Sequence, residues 1–305
     1  MTHNPEYHIP VMLNECIDAM RIHPDGTYVD VTFGGGGHSR AIFEKLSPNG
    51  RLIAFDQDPD AKKNAWKEPN FDLIPANFAF MSNHLRMLGI KQVDGILADL
   101  GVSSHQFDED TRGFSIRTDA KLDMRMNQKS ELTAAVVVNE YDEKDLLRIF
   151  RAYGEIKNSY RLTQEIMTER RNGKIRTTND LIKIGTKCAP KHKENKYLAQ
   201  VFQAIRIEVN DEMDALEKLL EQTAEVLKPQ GRLVVMSYHS LEDRLVKNYT
   251  KRGSLTGEIE KDFFGNVLKP FNEIVRHPIV PSEEEIEGNS RARSAKLRIA
   301  ERNGQ

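Results

Sequence analysis

The sequence predicts an α/β fold built on a mostly parallel sheet, with a helical domain inserted into it. Three observations support this prediction. Short β-rich runs alternate with helical patterns between residues 27 and 99, four glycines follow the first run, and the alternation stops at Gly101 and resumes near Gly231. Strands that alternate with helices form parallel sheets covered on both faces. A chain of 305 residues is long enough for one large or two unequal domains.

The alternating region contains four strand patterns and three helical patterns. The strand patterns are TYVDVTF, RLIAFD, FDLIPANF and VDGILADL, and the helical patterns between them are SRAIFEKL, PDAKKNAW and SNHLRML. In open α/β sheets, ligands bind beyond the carboxyl ends of the strands. We therefore expect the site to lie after Asp30, Asp56, Asn77 and Asp99.

Residues 105–205 are predicted to form the inserted helical domain, and residues 1–104 and 206–305 to form the discontinuous sheet domain. After an irregular segment, helical patterns occur near residues 131–140, 143–153, 159–171 and 179–189. A long helix is expected over residues 208–227, and a fifth strand over residues 231–239. FNEIVRHPIV and SAKLRIAE are expected to complete the sheet as a hairpin, with PSEEEIEGN as a solvated loop between them.

Composition limits the location and the chemistry of the protein. Hydrophobic content of 39% with 30% charged residues is ordinary for a soluble globular protein, and no apolar run approaches the roughly 18 residues of a membrane span. No secretory signal is visible, so a cytoplasmic location without membrane association is expected. Cys16 and Cys188 have no metal-ligand spacing, and no metal site is predicted.

Charge is distributed unevenly along the chain. The formal net charge is −2, yet residues 105–205 hold 19 Lys and Arg against 15 Asp and Glu. The inserted domain is therefore the basic part of the chain and the part expected to contact an anionic partner, although so small an excess is also compatible with an ordinary solvated surface.

The glycine run Gly34–Gly37 indicates a ligand that approaches the backbone closely. A phosphate-binding P-loop needs a lysine directly after its glycines, and here none occurs before Lys45. A dinucleotide fingerprint requires Gly or Ala where this chain has Ser39. Asp30 would repel a pyrophosphate, whereas a carboxylate suits a cationic methionine group. S-adenosylmethionine therefore fits best among the three common ligands of such turns.

Asp56 is the second feature that indicates this cofactor. It ends the second strand pattern 19 positions after Gly37, close to the roughly 20 expected for an acid that binds ribose hydroxyls. Helix capping is its other possible role, but Asp58 before Pro59 already makes a good N-cap. Asp56 is therefore predicted to be free for the ligand.

Several motifs resemble one known family along nearly the whole chain. They are HIPVML, DVTFGGGGHS, AFDQDP, DLGVSS, RGFS, LDMRM, FQAIRI, SYHSLEDR and SRARSAKLRIAER. Together they are similar to the ribosomal RNA small subunit methyltransferase H family, also called MraW. The resemblance implies a class I S-adenosylmethionine-dependent methyltransferase fold with an inserted helical domain. It also implies methylation of the exocyclic N4 of a cytidine in the decoding region of 16S rRNA.

The resemblance also implies site residues. Family cofactor contacts fall on Gly36, Gly37, His38, Asp56, Phe78, Asp99 and Gln106. Because the cytosine amine is a poor nucleophile, an acceptor near N4 is needed, and Asp99 could supply it or serve cofactor binding alone. His239, at the end of the fifth strand, is a second catalytic candidate. Ser240 is assigned to helix capping, in a capping box with Asp243.

Candidate RNA-binding residues lie in the inserted region. Asp123 and Arg125 could hold the flipped base or merely pin the loop by an ion pair. Arg170, Arg171 and Lys174 form a basic stretch suited to phosphates. The expected partner is 16S rRNA within the small ribosomal subunit, and the sequence does not fix the oligomeric state. Two alternatives stay open: an assembly factor without turnover, and a methyltransferase acting on DNA or protein.

Overall fold

The computed structural model describes residues 10–103, 106, 107, 109 and 111–304. The chain divides into two compact units. Unit 1 comprises Met1–Gly101 and Met213–Gln305, and unit 2 comprises Val102–Glu212. Unit 1 is thus discontinuous in sequence and unit 2 is continuous, as expected when one domain is inserted into another.

Unit 1 is built on a seven-stranded sheet with the order β3-β2-β1-β4-β5-β7-β6. The strands are β1 (Thr27–Asp30), β2 (Arg51–Phe55), β3 (Phe71–Ile74), β4 (Val93–Asp99), β5 (Leu227–Ser237), β6 (Phe271–Glu273) and β7 (Lys296–Arg302). Strands β1 to β5 are parallel to one another, and β7 runs antiparallel to both β5 and β6. This topology confirms the predicted α/β fold with a mostly parallel sheet.

In the described part of unit 1, six α-helices accompany this sheet. They are α1 (Leu13–Met20), α2 (Gly37–Phe43), α3 (Met81–Met87), α9 (Glu212–Val226), α10 (Ser240–Arg252) and α11 (Glu283–Gly288). Successive side chains of a strand point to opposite faces. Accordingly, Val29 and Ile53 pack into one buried cluster, whereas Tyr28 and Leu52 pack into another. The sheet therefore has an apolar core on each face.

Unit 2 is helical. Its helices with defined bounds, among the residues described, are α4 (Ala134–Glu140), α5 (Glu143–Ala152), α6 (Ser159–Asn172), α7 (Thr178–Cys188) and α8 (Glu194–Asn210). They enclose a separate apolar core that includes Phe150, Leu162 and Val201. The four helical patterns expected here are confirmed, with ends that differ by a few residues.

Three local predictions were wrong. The helix expected over residues 208–227 is interrupted, because Asp211 adopts a left-handed conformation (φ 52°) that ends α8 before α9 begins. The segment PSEEEIEGN contains α11, which begins after the N-cap Ser282. The pattern PDAKKNAW forms a 3-10 helix, Pro59–Asn64, rather than an α-helix. Helix α1 was not anticipated.

The limits of the two units differ slightly from the expected domain limits. The expected boundary between residues 104 and 105 lies outside the described residues. At the other end, residue 205 falls inside the continuous helix α8, whereas the observed unit extends to Glu212. Within the described part of the chain, no helix combines the length and apolarity needed to cross a membrane.

Candidate active site

Three carboxylates lie at one edge of the sheet in unit 1. Asp30 and Asp99 are the last residues of β1 and β4, and Asp56 directly follows β2. The parallel register aligns these strand ends, since Asp30 pairs with Ala54 in β2 and its neighbour Val29 with Ile96 in β4. The structure therefore brings all three acids to the edge where the sequence predicts them.

Asp56 holds the start of the glycine-rich turn. Its Oδ2 atom accepts a 2.7 Å hydrogen bond from the backbone N–H of Gly34, and its Oδ1 atom accepts a 2.8 Å bond from the backbone N–H of Asp58. The prediction that Asp56 is free was therefore wrong, although the capping role given to Asp58 is confirmed by its bond from the N–H of Asp60. Each carboxylate oxygen retains a second lone pair for a ligand.

Burial raises the pKa of Asp56 to about 6, and the two backbone hydrogen bonds from Asp58 and Gly34 only partly oppose this rise. Nearby carboxylates, including Asp30, raise it further because like charges disfavour ionisation. A hydroxyl donor or a cation placed here would be stabilised by the ionised carboxylate. A ribose diol is a ligand group with such hydroxyl donors.

Asp30 fixes the residues on both sides of the glycine run. Its side chain is 1% exposed. It accepts hydrogen bonds from the hydroxyl of Ser39 (2.6 Å) and from the backbone N–H of Thr32 (3.0 Å). Ser39 therefore has a structural role at the position where a dinucleotide fingerprint would have glycine.

Two of the four glycines, Gly36 and Gly37, are closely packed against other parts of the protein. Gly36 has φ 80°, and a Cβ there would lie 2.9 Å from the ring of Phe33. A Cβ on Gly37 would lie 2.2 Å from Cγ of Pro10. At distances this short, a side chain at either position would force its neighbour to shift. The close neighbours of Gly36 and Gly37 are thus protein atoms, and their contact with a ligand stays a prediction.

Asp99 is held by two residues of unit 1. The hydroxyl of Tyr238 donates a 2.8 Å hydrogen bond to Oδ1, and Nδ1 of the buried His38 lies 3.7 Å from Oδ2. His38 is itself fixed through Nε2, which lies 3.2 Å from the backbone oxygen of Val11. The Asp99 side chain remains 24% exposed, so the carboxylate is oriented and still reachable.

Burial raises the pKa of Asp99 to about 6, while His38 and Tyr238 lower it in part. Burial and the adjacent Asp99 charge raise the pKa of Tyr238 well above its ordinary value, so the phenol stays a proton donor. Sequence reasoning missed Tyr238. Its contact with Asp99 joins residues 139 positions apart, so no local pattern indicates it. The only feature of the sequence that could have drawn attention to Tyr238 is its place directly before His239 in the SYHSLEDR motif.

His239 caps helix α10. The imidazole Nδ1 accepts from the backbone N–H of Glu242, and the Glu242 carboxylate accepts from the N–H of His239 in return. The capping box assigned to Ser240 and Asp243 was therefore wrong by one residue. Asp243 instead accepts a 2.7 Å hydrogen bond from Arg298.

The second imidazole nitrogen of His239 is buried and lies 3.2 Å from Oε1 of Glu242. That distance allows an ion pair between the two side chains, but the contact lacks the geometry of a hydrogen bond. A hydrogen bond depends on direction as well as distance, so this contact is at most electrostatic. His239 is thus fixed by capping, and its catalytic role stays a prediction.

Two further predicted cofactor residues are Phe78 in unit 1 and Gln106 in unit 2. Phe78 begins a short 3-10 helix capped by Asn77, and its ring packs partly buried against the core. Gln106 belongs to unit 2, is 5% exposed, and exchanges hydrogen bonds with Ser103 through its Oε1 atom and its backbone N–H. Their contacts with a cofactor stay predictions.

Asp123 and Arg125 form an internal pair in unit 2. Both guanidinium donors Nε and Nη2 of Arg125 reach the Asp123 carboxylate, at 2.8 and 2.7 Å. Nη1 of Arg125 donates to the backbone oxygens of Gln128 and Ser130. This arrangement matches the loop-pinning alternative, and it leaves the role of these residues in RNA binding untested.

The basic stretch at the end of α6 contains two kinds of side chain. Arg170 is half-buried and donates to the backbone oxygens of Tyr141 (2.6 Å) and Val138 (3.3 Å), which belong to the end of α4. Arg171 and Lys174 are exposed. The two exposed cations therefore suit an anionic partner, whereas Arg170 stabilises the fold of unit 2.

Comparison with known proteins agrees with this architecture. The chain matches the MraW methylase family over residues 6–303. A ribosomal RNA small subunit methyltransferase H from Flavobacterium johnsoniae is 58% identical over 302 residues, covering 99% of this chain and 100% of that protein. Proteins of the same name from Bacteroides thetaiotaomicron and Christiangramia forsetii are each 55% identical, covering 97% of both chains. The chain therefore belongs to the MraW methylase family.

Proposed function

We propose that this protein transfers a methyl group from S-adenosylmethionine to the exocyclic N4 of a cytidine in the decoding region of 16S rRNA. Family membership and the names of relatives 55 to 58% identical over nearly the whole chain support this function. The observation in the molecule that carries it is Asp99, a partly exposed carboxylate fixed at the end of β4 by Tyr238.

The acids at the strand ends fit S-adenosylmethionine better than a phosphate-bearing cofactor. Asp30, Asp56 and Asp99 make this edge negative, which favours a sulfonium and an ammonium group and disfavours a pyrophosphate. The bound cofactor would supply an electrophilic methyl group. The residues proposed to contact it are Gly36, Gly37, His38, Asp56, Phe78, Asp99 and Gln106.

In this proposal Asp56 binds the ribose hydroxyls. Its two oxygens already accept the N–H groups of Gly34 and Asp58, which fix the orientation of the carboxylate and leave one lone pair on each oxygen. The same carboxylate thus shapes the glycine-rich turn and binds the ligand. Loss of Asp56 should affect both.

Asp99 is proposed as the catalytic residue that accepts charge or a proton from the cytidine amine. The lone pair of that amine is delocalised into the ring, so positive charge develops on N4 as it attacks. A pKa of about 6 leaves Asp99 ionised at neutral pH and close enough to the working pH for proton exchange. Tyr238 would act as a positioning residue that holds the acceptor oxygen. His239 stays a second candidate.

The exposed cations Arg171 and Lys174 of unit 2 are proposed to contact rRNA phosphates, with Asp123 and Arg125 shaping the adjacent loop. Arg170, also expected to bind RNA, is proposed to contribute by holding the end of α4 in place. The substrate is proposed to be 16S rRNA within the small ribosomal subunit, and the location to be the cytoplasm.

Mass mapping of 16S rRNA nucleosides tests this function directly. Cells with and without the gene are compared, and the deletion strain is complemented with the parent or with Asp99→Asn. We expect one N4-methylcytidine to disappear on deletion and to return only with the parent. An unchanged methylation pattern would contradict the proposal. Cofactor binding without any methylation of subunits would indicate an assembly factor instead.

A further inference from the structure

The imidazole of His38 lies between a backbone carbonyl and the carboxylate of Asp99. The His38 side chain is 6% exposed and lies in the first turn of α2. Its Nε2 atom is 3.2 Å from the backbone oxygen of Val11, and its Nδ1 atom is 3.7 Å from Oδ2 of Asp99. A carbonyl oxygen can only accept a hydrogen bond, so Nε2 carries the ring proton in this contact. Neutral His38 therefore presents to Asp99 the nitrogen that has no proton.

The carbonyl that selects this tautomer is itself held in place. Pro10, the residue before Val11, packs closely against the first turn of α2. Met12, the residue after it, has a left-handed backbone (φ 50°), and its N–H donates a 2.6 Å hydrogen bond to Oε1 of Glu285 in α11. The backbone that supplies the Val11 oxygen is thus fixed on both sides. The tautomer of His38 is therefore set by the fold of unit 1.

Two acceptor atoms that face each other are stabilised when a proton lies between them. With Nδ1 unprotonated and Asp99 ionised, the lone pair of the imidazole faces a negative oxygen. Their 3.7 Å separation is longer than the roughly 2.6–3.2 Å over which a side chain passes a proton, although such contacts are often long in a free protein and tighten in the substrate complex. One added proton would convert the contact into a charge-assisted hydrogen bond, which is shorter and stronger. The pair is therefore suited to take up one proton.

Other ionisable groups near Asp99 are poorly placed to receive a proton from it. The groups that act electrostatically on Asp99, or respond to its charge, are Cys16, Asp30, Tyr238 and Glu242. Burial raises the pKa of the Cys16 thiol and of the Tyr238 phenol well above their ordinary values, so both keep their own protons. The carboxylates of Asp30 and Glu242 already accept hydrogen bonds from other groups. Among the residues described, His38 is thus the base best placed to receive a proton from Asp99.

We infer that His38 and Asp99 form one proton-binding pair, in which His38 receives through Asp99 the proton that the cytidine amine loses. This inference rests on the proposed function for the identity of the amine. Once methylated, N4 carries a positive charge and one proton more than the neutral product. The N4–H bond breaks, its electron pair stays on nitrogen, and the proton passes to the Asp99 carboxylate and then to Nδ1 of His38. The amine becomes neutral, and the net charge of the pair rises by one.

The tautomer of His38 is the first test, and it requires neither cofactor nor RNA. The ring nitrogens of protein labelled with ¹⁵N-histidine are recorded by NMR at about pH 9, where an ordinary imidazole is neutral. The signals of His38 are those missing from the spectra of His38→Gln and His38→Asn. We expect a proton on Nε2 and none on Nδ1. A neutral His38 with its proton on Nδ1 would overturn the inference, because that nitrogen could only donate to Asp99.

Single-turnover methylation of small subunits, at saturating cofactor and subunit, tests the proton transfer. His38→Asn places an amide donor near the position of Nδ1 and can still orient Asp99, but it cannot take up a proton. His38→Gln places its amide near the position of Nε2 and has the same deficiency. Both variants should lower the rate roughly tenfold or more, since each removes a proton acceptor. His23→Gln, which changes an exposed histidine of unit 1, is the control and should keep the parent rate.

A double variant separates action through Asp99 from a general disturbance of the site. Because His38 acts only through Asp99, the rate of His38→Asn/Asp99→Asn should match that of Asp99→Asn within about twofold. A double variant that loses the product of the two single effects would overturn the inference. A parent-like rate of His38→Asn would do so too, because His38 would then only orient Asp99. A parent with the expected tautomer that methylates no 16S rRNA would instead refute the proposed function and leave the proton-binding pair in place.

Discussion

The phenol of Tyr238 donates a 2.8 Å hydrogen bond to Oδ1 of Asp99, joining the residue after β5 to the last residue of β4. Because β4 and β5 are neighbours in the sheet, this bond is set by strand register rather than by a loop. It fixes one oxygen of the carboxylate and leaves the other 3.7 Å from His38. The central acid of the site is therefore positioned by two paired strands at the centre of the sheet.

Asp99→Asn should lower the rate of methyl transfer by roughly a hundredfold or more, the usual scale for acid–base or electrostatic groups. The amide keeps the shape and the bond from Tyr238 but removes the negative charge near N4. Single-turnover methylation at saturating cofactor and subunit measures the effect, with cofactor affinity measured separately by calorimetry. A parent-like rate combined with weaker cofactor binding would reduce Asp99 to a cofactor ligand and make His239 the next candidate.

The same substitution should stabilise the fold at neutral pH. Asp99 has a pKa of about 6 in the folded protein against 3.8 for the ordinary carboxyl, so the folded state holds its proton more tightly. As pH rises from about 4 to about 6, the unfolded state ionises first and the free energy of unfolding falls. Above pH 6 this cost is constant.

Asparagine avoids that cost. The free energy of unfolding of Asp99→Asn should exceed that of the parent by roughly 1–3 kcal/mol at about pH 8, and the difference should vanish below about pH 4. Urea titrations at several pH values provide the measurement. A difference that is independent of pH would show that Asp99 is not destabilised by burial.

Asp56→Ala should weaken S-adenosylmethionine binding more than tenfold, because charge-assisted hydrogen bonds are worth roughly 1.5 to 3 kcal/mol each. The variant also leaves the N–H of Gly34 without its acceptor, so the turn should lose order. Asp56→Asn is the matched control, since its amide oxygen can keep one of the two backbone bonds. Calorimetry showing parent-like affinity in folded Asp56→Ala would contradict the ribose-binding role.

Much of the sheet could be predicted because its signals are local. Alternating strand and helix periods located β1 to β4, and their ends located Asp30 and Asp99. The break at Asp211 could not be predicted, because the apolar period continues across it and a single left-handed residue divides the helix. Likewise, the sequence cannot show that His239 rather than Ser240 caps α10, since both precede an acid at the required spacing.

The parts of the site that depend on long-range contacts were not predictable. The bond from Tyr238 to Asp99 spans 139 positions, and that from Arg170 to the backbone of Tyr141 spans 29. Asp56 was expected to be free because Asp58 already supplies the helix cap. The turn conformation that brings the N–H of Gly34 within 2.7 Å of Asp56 is not visible in the sequence. The types of side chain thus indicated the chemistry of the site, whereas their hydrogen-bond partners could be identified only from the folded structure.

Gly37→Ala tests whether packing alone requires the glycine. Its Cβ would lie 2.2 Å from Cγ of Pro10, so we expect a loss of roughly 1–3 kcal/mol in the free energy of unfolding from overpacking. Gly173→Ala is the control, because among the described residues no atom beyond its own chain neighbours lies within 4 Å of the added Cβ, and its backbone is extended. Thermal unfolding measures both. Equal melting temperatures for the two variants would contradict the close approach of Pro10.

The paired variant Arg171→Ala/Lys174→Ala should weaken binding to the small subunit and reduce its dependence on salt, while thermal stability stays at the parent value. Both side chains are exposed, so their removal leaves the packing of unit 2 intact. For every phosphate that the variant no longer neutralises, the slope of log affinity against log salt should become shallower by about 1.

Arg170→Ala should behave in the opposite way, because its guanidinium satisfies the backbone oxygens of Val138 and Tyr141 at the end of α4. Its removal leaves half-buried carbonyls without a donor, which costs about 1–3 kcal/mol. Unit 2 should therefore lose stability while the salt slope stays unchanged. Salt-dependent binding and thermal unfolding of both variants separate the two roles. A reduced salt slope for Arg170→Ala, with parent-like stability, would contradict this prediction. It would show that Arg170 binds phosphate and that its backbone hydrogen bonds contribute little to stability.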